Sequence, residues 1–200
     1  MYEKIKNHAI CFDVGNTLVK LGPPISSWHD PLDVPKLERL LDSYSLGHIE
    51  TESFFKKLKA LSRHADGAIP FEEWFVEKRL IAPYPGASKL LSSLVESNFE
   101  VILFSNTNES HWNFIRTLSF AHSHSFVSFL MHKKKPDPEA FKEVERNTHK
   151  SNEEIIFFDD SLANVDIANR LGWNGYCVAC SNPIDKITKI LRENYKIRLL

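Results

Sequence analysis

Five short apolar runs, each closed by polar residues, constrain this chain more than any other feature. They are Ala-Ile-Cys-Phe at 9–12 and the runs at 101–104, 126–131, 155–158 and 176–179. Each is too short for a helix and rich in Phe, Val or Ile, and none alternates with polar residues. Strands covered on both faces read this way. Helical signals lie between them. Asp137-Pro138-Glu139 offers an N-cap, a first-turn proline and a first-turn acid. Leu162, Val165, Ile167, Ala168 and Leu171 share a stripe that stops at Gly172, and Leu90, Leu91, Leu94 and Val95 follow Pro85-Gly86 at helical spacing. Strand alternating with helix predicts an α/β fold built on a doubly wound, Rossmann-like parallel sheet.

One interval breaks the rhythm. About ninety residues separate the first two runs, where a strand–helix–strand crossover needs about thirty. Leu37, Leu40, Leu41 and Tyr44 form one helical stripe in this interval, Phe54, Phe55, Leu58 and Leu61 a second, and Phe71, Trp74, Phe75 and Leu80 a third. Pro23-Pro24 and the Pro83-Tyr84-Pro85-Gly86 stretch punctuate its ends. The expected organisation is a core of residues 1–20 and 84–200 carrying an all-helical cap at 21–83. That insertion leaves and re-enters at the carboxyl end of the first strand, where such sheets bind ligands.

Lys plus Arg number 25 and Asp plus Glu 26, a net charge of −1 that argues against a nucleic-acid binder relying on a basic field. No apolar run approaches the roughly twenty residues of a membrane helix, and no signal-like stretch opens the N-terminus. Three cysteines make no disulfide framework. A cytoplasmic protein of a reducing compartment is expected; the oligomeric state is not legible.

The chemistry lies just past the strand ends, in Asp13-Val14-Gly15-Asn16-Thr17, Ser105-Asn106-Thr107, Lys133-Lys134-Lys135-Pro136 and Asp159-Asp160-Ser161. A parallel sheet directs all four to one edge. Three carboxylates gathered there repel one another unless a cation sits among them. Oxygen ligands without His or Cys nearby suit Mg²⁺, and Lys with a Ser hydroxyl suits phosphate. Together they point to phosphoryl transfer.

At these residues the chain resembles the haloacid dehalogenase (HAD) superfamily. Ile10-Cys11-Phe12-Asp13-Val14-Gly15-Asn16-Thr17-Leu18 resembles its nucleophile loop, Leu103-Phe104-Ser105-Asn106 its second motif, Lys135-Pro136-Asp137-Pro138 its lysine motif and Phe157-Phe158-Asp159-Asp160 its acidic fourth motif. The Gly-Asn variant of the first motif and the Ser-Asn-Thr-Asn second motif look most like bacterial sugar-phosphate phosphatases. The resemblance implies that Asp13 is the nucleophile, oriented by Thr17. It implies Mg²⁺ on Asp13, the Gly15 carbonyl and Asp160, with Asp159 direct or through water. Ser105 and the Asn106 backbone N–H would hold phosphoryl oxygens, and Lys135 would neutralise both Asp13 and phosphate. The implied function is a Mg²⁺-dependent phosphatase of a small phosphorylated metabolite, working through an aspartyl-phosphate, with neither nucleic acid nor membrane as partner.

One departure matters. Most family phosphatases carry a general acid two residues after the nucleophile, and here that position is Gly15, a glycine suited to positive φ. A 2-haloacid dehalogenase-like hydrolase and a weakly active or idle scaffold are therefore alternatives, although the Asp159-Asp160 pair favours phosphate. Lys133 and Lys134 read as a solvated run. Cys177 and Cys180 form a Cys-x-x-Cys expected to be buried small apolar residues, and His122, His124 and His132 read as loop. Trp28, His29, His48 and Trp74 are candidate substrate contacts.

Overall fold

The computed structural model describes residues 7–25, 34–61, 71–118 and 124–197. Its strands are β1 (Ala9–Phe12), β2 (Val19–Leu21), β3 (Leu80–Pro83), β4 (Glu100–Ser105), β5 (His124–Val127), β6 (Ile155–Asp159) and β7 (Asn174–Cys177). Five of them pair in parallel in the order β5-β4-β1-β6-β7. Every residue of β1 and β6 is buried, as uninterrupted apolar runs require. Side chains divide by the strand period of two. Ile10 and Phe12 enter one core with Leu103, Ile156 and Phe158, while Ala9 and Cys11 enter the other with Ile102, Phe104 and Phe157.

Helices cover both faces. α1 (Val34–Ser45), α2 (Thr51–Ala60) and α3 (Phe71–Arg79) lie between β2 and β3; α4 (Ala87–Glu96), α5 (Glu109–Ile115), α6 (Ser128–Met131), α7 (Pro138–Thr148), α8 (Leu162–Arg170) and α9 (Pro183–Tyr195) follow. Local chemistry starts several of them. Asp137 accepts from the Glu139 N–H ahead of Pro138, and Asn182 accepts from the Asp185 N–H ahead of Pro183. Leu90, Leu91 and Leu94 of α4 pack beside Ile184, Ile187 and Leu191 of α9 on one face of the sheet. Phe141 and Val144 of α7, Ala168 of α8 and Trp173 pack on the other.

Three sequence expectations change. The run at 126–131 is not one strand: β5 ends at Val127 and a helical turn follows. Ser128 interrupts the run because its buried Oγ accepts from the Thr107 N–H and lies within hydrogen-bonding distance of the Thr107 and Ser45 carbonyls. The last strand is shifted toward the N-terminus, and as an edge strand it is half-buried throughout. The insertion is not all-helical. Its stem is an antiparallel ladder of β2 and β3, in which Leu80, expected on the third helix, pairs with Leu21. Above this stem α1 to α3 share a core of Leu37, Leu40, Tyr44, Phe54, Leu58 and Phe75.

Phe141 is fully buried and meets the rings of Phe104, Phe157 and Trp173 edge-on, with centroids 5.1, 5.9 and 5.3 Å away. Phe141→Ala empties the contact between α7 and the two strands whose ends carry Ser105 and Asp159. The expected loss is about 3–5 kcal/mol, read as a lower midpoint in urea denaturation at unchanged slope.

Candidate active site

The central strand has neighbours reached by crossovers in opposite directions, and this switch point opens a crevice at the carboxyl edge of the sheet. Register then places the site. Phe12 pairs with Leu103 on one side and Phe158 on the other, so Asp13, Ser105 and Asp159 emerge together. The Asp13 N–H donates to the Phe158 carbonyl at 2.8 Å, which holds the end of β1 against β6.

Lys135 crosses beneath this edge from the loop after α6. Lys135 is 2% exposed, and its ammonium gives its three protons to Asp13 Oδ1 at 2.8 Å, Asp159 Oδ2 at 2.7 Å and the Phe104 carbonyl at 2.6 Å. The Phe104 and Phe157 rings face it at 4.9 and 5.3 Å. Burial disfavours the charged amine, but the carboxylates of Asp13 and Asp159 outweigh it and hold its pKa above the usual range. Asn106 fixes the backbone of Lys135: its amide donates to the Lys135 carbonyl at 2.7 Å and its Oδ1 accepts from the Lys135 N–H at 2.9 Å. The Asn106 side chain therefore serves the lysine.

Asp159 is fully buried and its oxygens are occupied. They accept from Ser161 N–H at 2.8 Å and from the Asn164 amide at 2.9 and 3.0 Å, besides Lys135. Asp160 instead faces the cavity, where Asn16 donates to its Oδ2 at 3.2 Å. Ligand oxygens of Asp13, Asp159 and Asp160 lie within 4.8 Å of one another. Burial pushes the Asp13 carboxyl up to about 7, opposed by Lys135 and reinforced by Asp159 and Asp160. Three carboxylates against one bonded ammonium leave an acidic oxygen cluster of the kind that accommodates a hard divalent cation.

A cavity of about 250 Å³ opens above these groups, lined by Asp13, Gly15, Ser105, Asn106, Lys135 and Asp160. Its other wall comes from Leu21, Arg79 and Leu80 at the stem of the insertion, and from His111 and Ile115 of α5. Thr17 differs from expectation. It is fully buried, and its Oγ1 has no hydrogen-bond partner among the described residues, so it does not orient Asp13 through a hydrogen bond. Gly15 does not adopt positive φ; the left-handed residue is Asn16, at φ 52°. A Cβ at Gly15 would lie 2.7 Å from Leu21 Cδ1, so Leu21 fills the space beside the position that lacks an acid.

Other candidates fall away from the cavity. His48 stacks on His132 with centroids 5.9 Å apart, and Trp74 packs against the insertion core; neither lines the cavity. Trp28, His29 and His122 lie outside the described residues. His124 belongs to β5. Lys133 and Lys134 are ion-paired, with Glu143 and Asp42. Cys177 is half-buried, with its thiol 3.6 Å from the Asp160 carbonyl, and Cys180 is exposed; neither is the buried apolar residue expected. Sequence reading missed Arg79, whose only local signal is its place before an apolar dipeptide at the return to the core. It also missed His111, which helical periodicity does not distinguish from its neighbours.

An aspartate at the end of the central strand, a buried lysine joining it to a second acid, and an acidic pair on the next strand define a class of α/β hydrolases. The chain belongs to the haloacid dehalogenase-like hydrolase family, whose model matches residues 8–172. Among curated proteins it is 34% identical, over 116 residues, to flavin mononucleotide hydrolase 1 of Arabidopsis thaliana chloroplasts. That match covers 56% of this chain and 46% of the relative, so the chain spans about half its length. A predicted HAD-like hydrolase from Porphyromonas gingivalis superposes with a TM-score of 0.72 at 26% identity, over 93% of this chain and 98% of the other. A HAD family enzyme from Bacteroides thetaiotaomicron, solved as a magnesium complex, superposes at 0.75 and 20% identity, over 90% and 97%. No helix among the described residues is long and apolar enough to cross a membrane.

Lys135→Met leaves Asp13 and Asp159 facing each other without their cation, and should cost about 3–5 kcal/mol in urea unfolding. Converting Asp159 to Asn in that background should restore part of the loss. His111 is held neutral: burial, with the Arg79 charge assisting, lowers its pKa from 6.5 to about 4, while the Phe75 carbonyl opposes the shift. The unfolded chain therefore takes up a proton that the native state refuses. The associated stability is complete above pH 6.5 and is lost as pH falls toward 4, by about 3 kcal/mol. Denaturation midpoints at pH 7.5 and 4.5 should differ less in His111→Gln than in the wild type.

Proposed function

We propose that this chain is a Mg²⁺-dependent phosphatase of a small phosphorylated metabolite, acting through an aspartyl-phosphate. The observation that carries the reading is the Lys135 ammonium, bonded to Asp13 and Asp159 under a cavity that Asp160 and Ser105 also line. The flavin mononucleotide hydrolase relative and the magnesium complex of the Bacteroides enzyme support it.

Asp13 attacks phosphorus with the carboxylate oxygen that faces the cavity, and its other oxygen stays on Lys135. Ser105 Oγ and the Asn106 backbone N–H receive phosphoryl oxygens; the Thr107 N–H is already bonded to Ser128. Asp13, Asp160 and the Gly15 carbonyl would hold Mg²⁺, which when bound neutralises charge on the phosphoryl oxygens. Asp159, saturated by protein donors, positions Lys135 and acts on the metal site from behind. Residues 21–83 serve as the cap that encloses the substrate on its stem of β2 and β3. The near-zero net charge speaks against a partner bound through a basic field such as nucleic acid; the reading is of a small-molecule partner, with no membrane, in the cytoplasm.

Phosphate release from sugar phosphates, flavin mononucleotide and acyl phosphates, with and without Mg²⁺, tests the reading. Activity should require the metal and vanish with chelator. Asp13→Asn should lower it by at least about a thousandfold without a change in far-ultraviolet circular dichroism. Gly15, which supplies no acid, favours a second reading as a dehalogenase-like hydrolase. Halide release from 2-haloacids without metal would establish that reading in place of the first.

A further inference from the structure

We propose that Arg79 receives the departing group, and that this group leaves as an oxyanion, so that the substrate is an acyl phosphate or a phosphoanhydride. The inference rests on the phosphatase reading and narrows its substrate class.

Three observations meet at one wall of the cavity. The family position of the general acid is Gly15, and Leu21 lies against it. Leu21 pairs with Leu80 across the stem, and the next residue back along the chain is Arg79. The Gly22 N–H donates to the Arg79 carbonyl at 2.8 Å and Arg79 Nη1 donates to the Gly22 carbonyl, so the guanidinium is anchored beside Leu21. Arg79 thus stands on the side of the cavity where a leaving group would otherwise meet an acid.

Among the described residues, Arg79 and Lys135 are the two cations lining the cavity. Lys135 has no proton left to give, since all three are bonded to protein acceptors. Arg79 has five N–H donors, and among the described residues it makes one side-chain hydrogen bond and no ion pair. A guanidinium cannot act as a general acid near neutral pH, but its planar fork matches a carboxylate or phosphate in two parallel hydrogen bonds. His111, on the same cavity wall, is bonded to Asn108 and lies 3.4 Å from the Phe75 carbonyl, and supplies no acid either.

The chemistry balances without one. Asp13 forms a bond to phosphorus as the bond to the bridging oxygen breaks, and that electron pair leaves with the carboxylate or phosphate. Such an oxygen is stable as an anion near pH 7, whereas an alkoxide must be protonated. Water then attacks the aspartyl-phosphate, releases Asp13 and supplies both hydrogens of dihydrogen phosphate.

The experiment compares kcat/KM of the Mg²⁺-loaded protein for acetyl phosphate, pyrophosphate, glycerol phosphate and flavin mononucleotide. At least one anhydride should exceed both alkyl esters by about 100-fold or more, the worth of a missing acid. Acetyl phosphate and pyrophosphate separate a carboxylate leaving group from a phosphate one. Arg79→Gln should lower kcat for the preferred anhydride by about 100-fold and for the esters by less, and Arg79→Lys by about tenfold, since it keeps the charge without the fork. Melting temperatures identify a misfolded variant; if Arg79→Gln fails to fold, the ratio in Arg79→Lys decides. Preference for flavin mononucleotide or glycerol phosphate in the wild type overturns the inference but keeps the phosphatase reading. An equal loss toward anhydrides and esters in the variants also overturns it. No phosphate release from any of the four overturns both.

Discussion

A lysine ammonium with almost no solvent exposure must place all three protons on acceptors, and those of Lys135 go to Asp13, Asp159 and the Phe104 carbonyl. That requirement ties three strands together. Asp13 immediately follows β1, Asp159 ends β6, and Phe104 lies one residue before the end of β4. Each acid is costly to bury alone, and so is the ammonium; together they satisfy one another in a low-dielectric pocket between two aromatic rings. The surrounding groups keep that arrangement in register. Asn106 clamps the lysine backbone and Asn164 holds both oxygens of Asp159, so Asp13 and Asp160 are the carboxylates turned toward the cavity.

The cavity shares a structural wall with the seam between the insertion and the sheet. The stretch from Ser105 to Asn108 leaves β4, lines the cavity and then caps α5 through the Asn108 side chain. The first residues of α5 are where the insertion docks. Ser110 Oγ lies 2.6 Å from the Tyr44 hydroxyl and donates to Glu72, while the His111 ring stacks on Phe75 at 4.6 Å. A second seam joins the C-terminal half of α1 to α6 and the lysine loop, through Ser128 with the Ser45 carbonyl and Lys134 with Asp42. The loops that carry Ser105, Asn106 and Lys135 are therefore both packed against the helices of the insertion.

Most of the sheet was legible because its strands are buried on both faces, and that burial writes continuous apolar runs into the sequence. The run at 126–131 misled for a local reason: Ser128 looks like a tolerated small residue until its hydroxyl is found bonded across to two other segments. The β2–β3 stem was missed because a three-residue and a four-residue strand carry too little periodicity to separate them from a helix end. Thr17 was expected to face Asp13, but side-chain direction in a tight loop depends on the turn that Asn16 makes at positive φ.

The alternation of strand and helix, and the acids and lysine that stand past the strand ends, are written in the sequence alone. These follow from burial periodicity and from which residue types stand at strand ends. Tertiary structure decided how those groups divide their work. Asp159 and Asp160 are adjacent and chemically identical, yet one is saturated by Asn164, Ser161 and Lys135 while the other faces the cavity. Gly15 reads as a missing side chain, and only the folded stem shows Leu21 against it and Arg79 beside Leu21, more than sixty residues further along. Strand ends carry their chemistry locally, but the far wall of a cavity is made by segments distant in the chain, so packing alone determines which of their side chains face it.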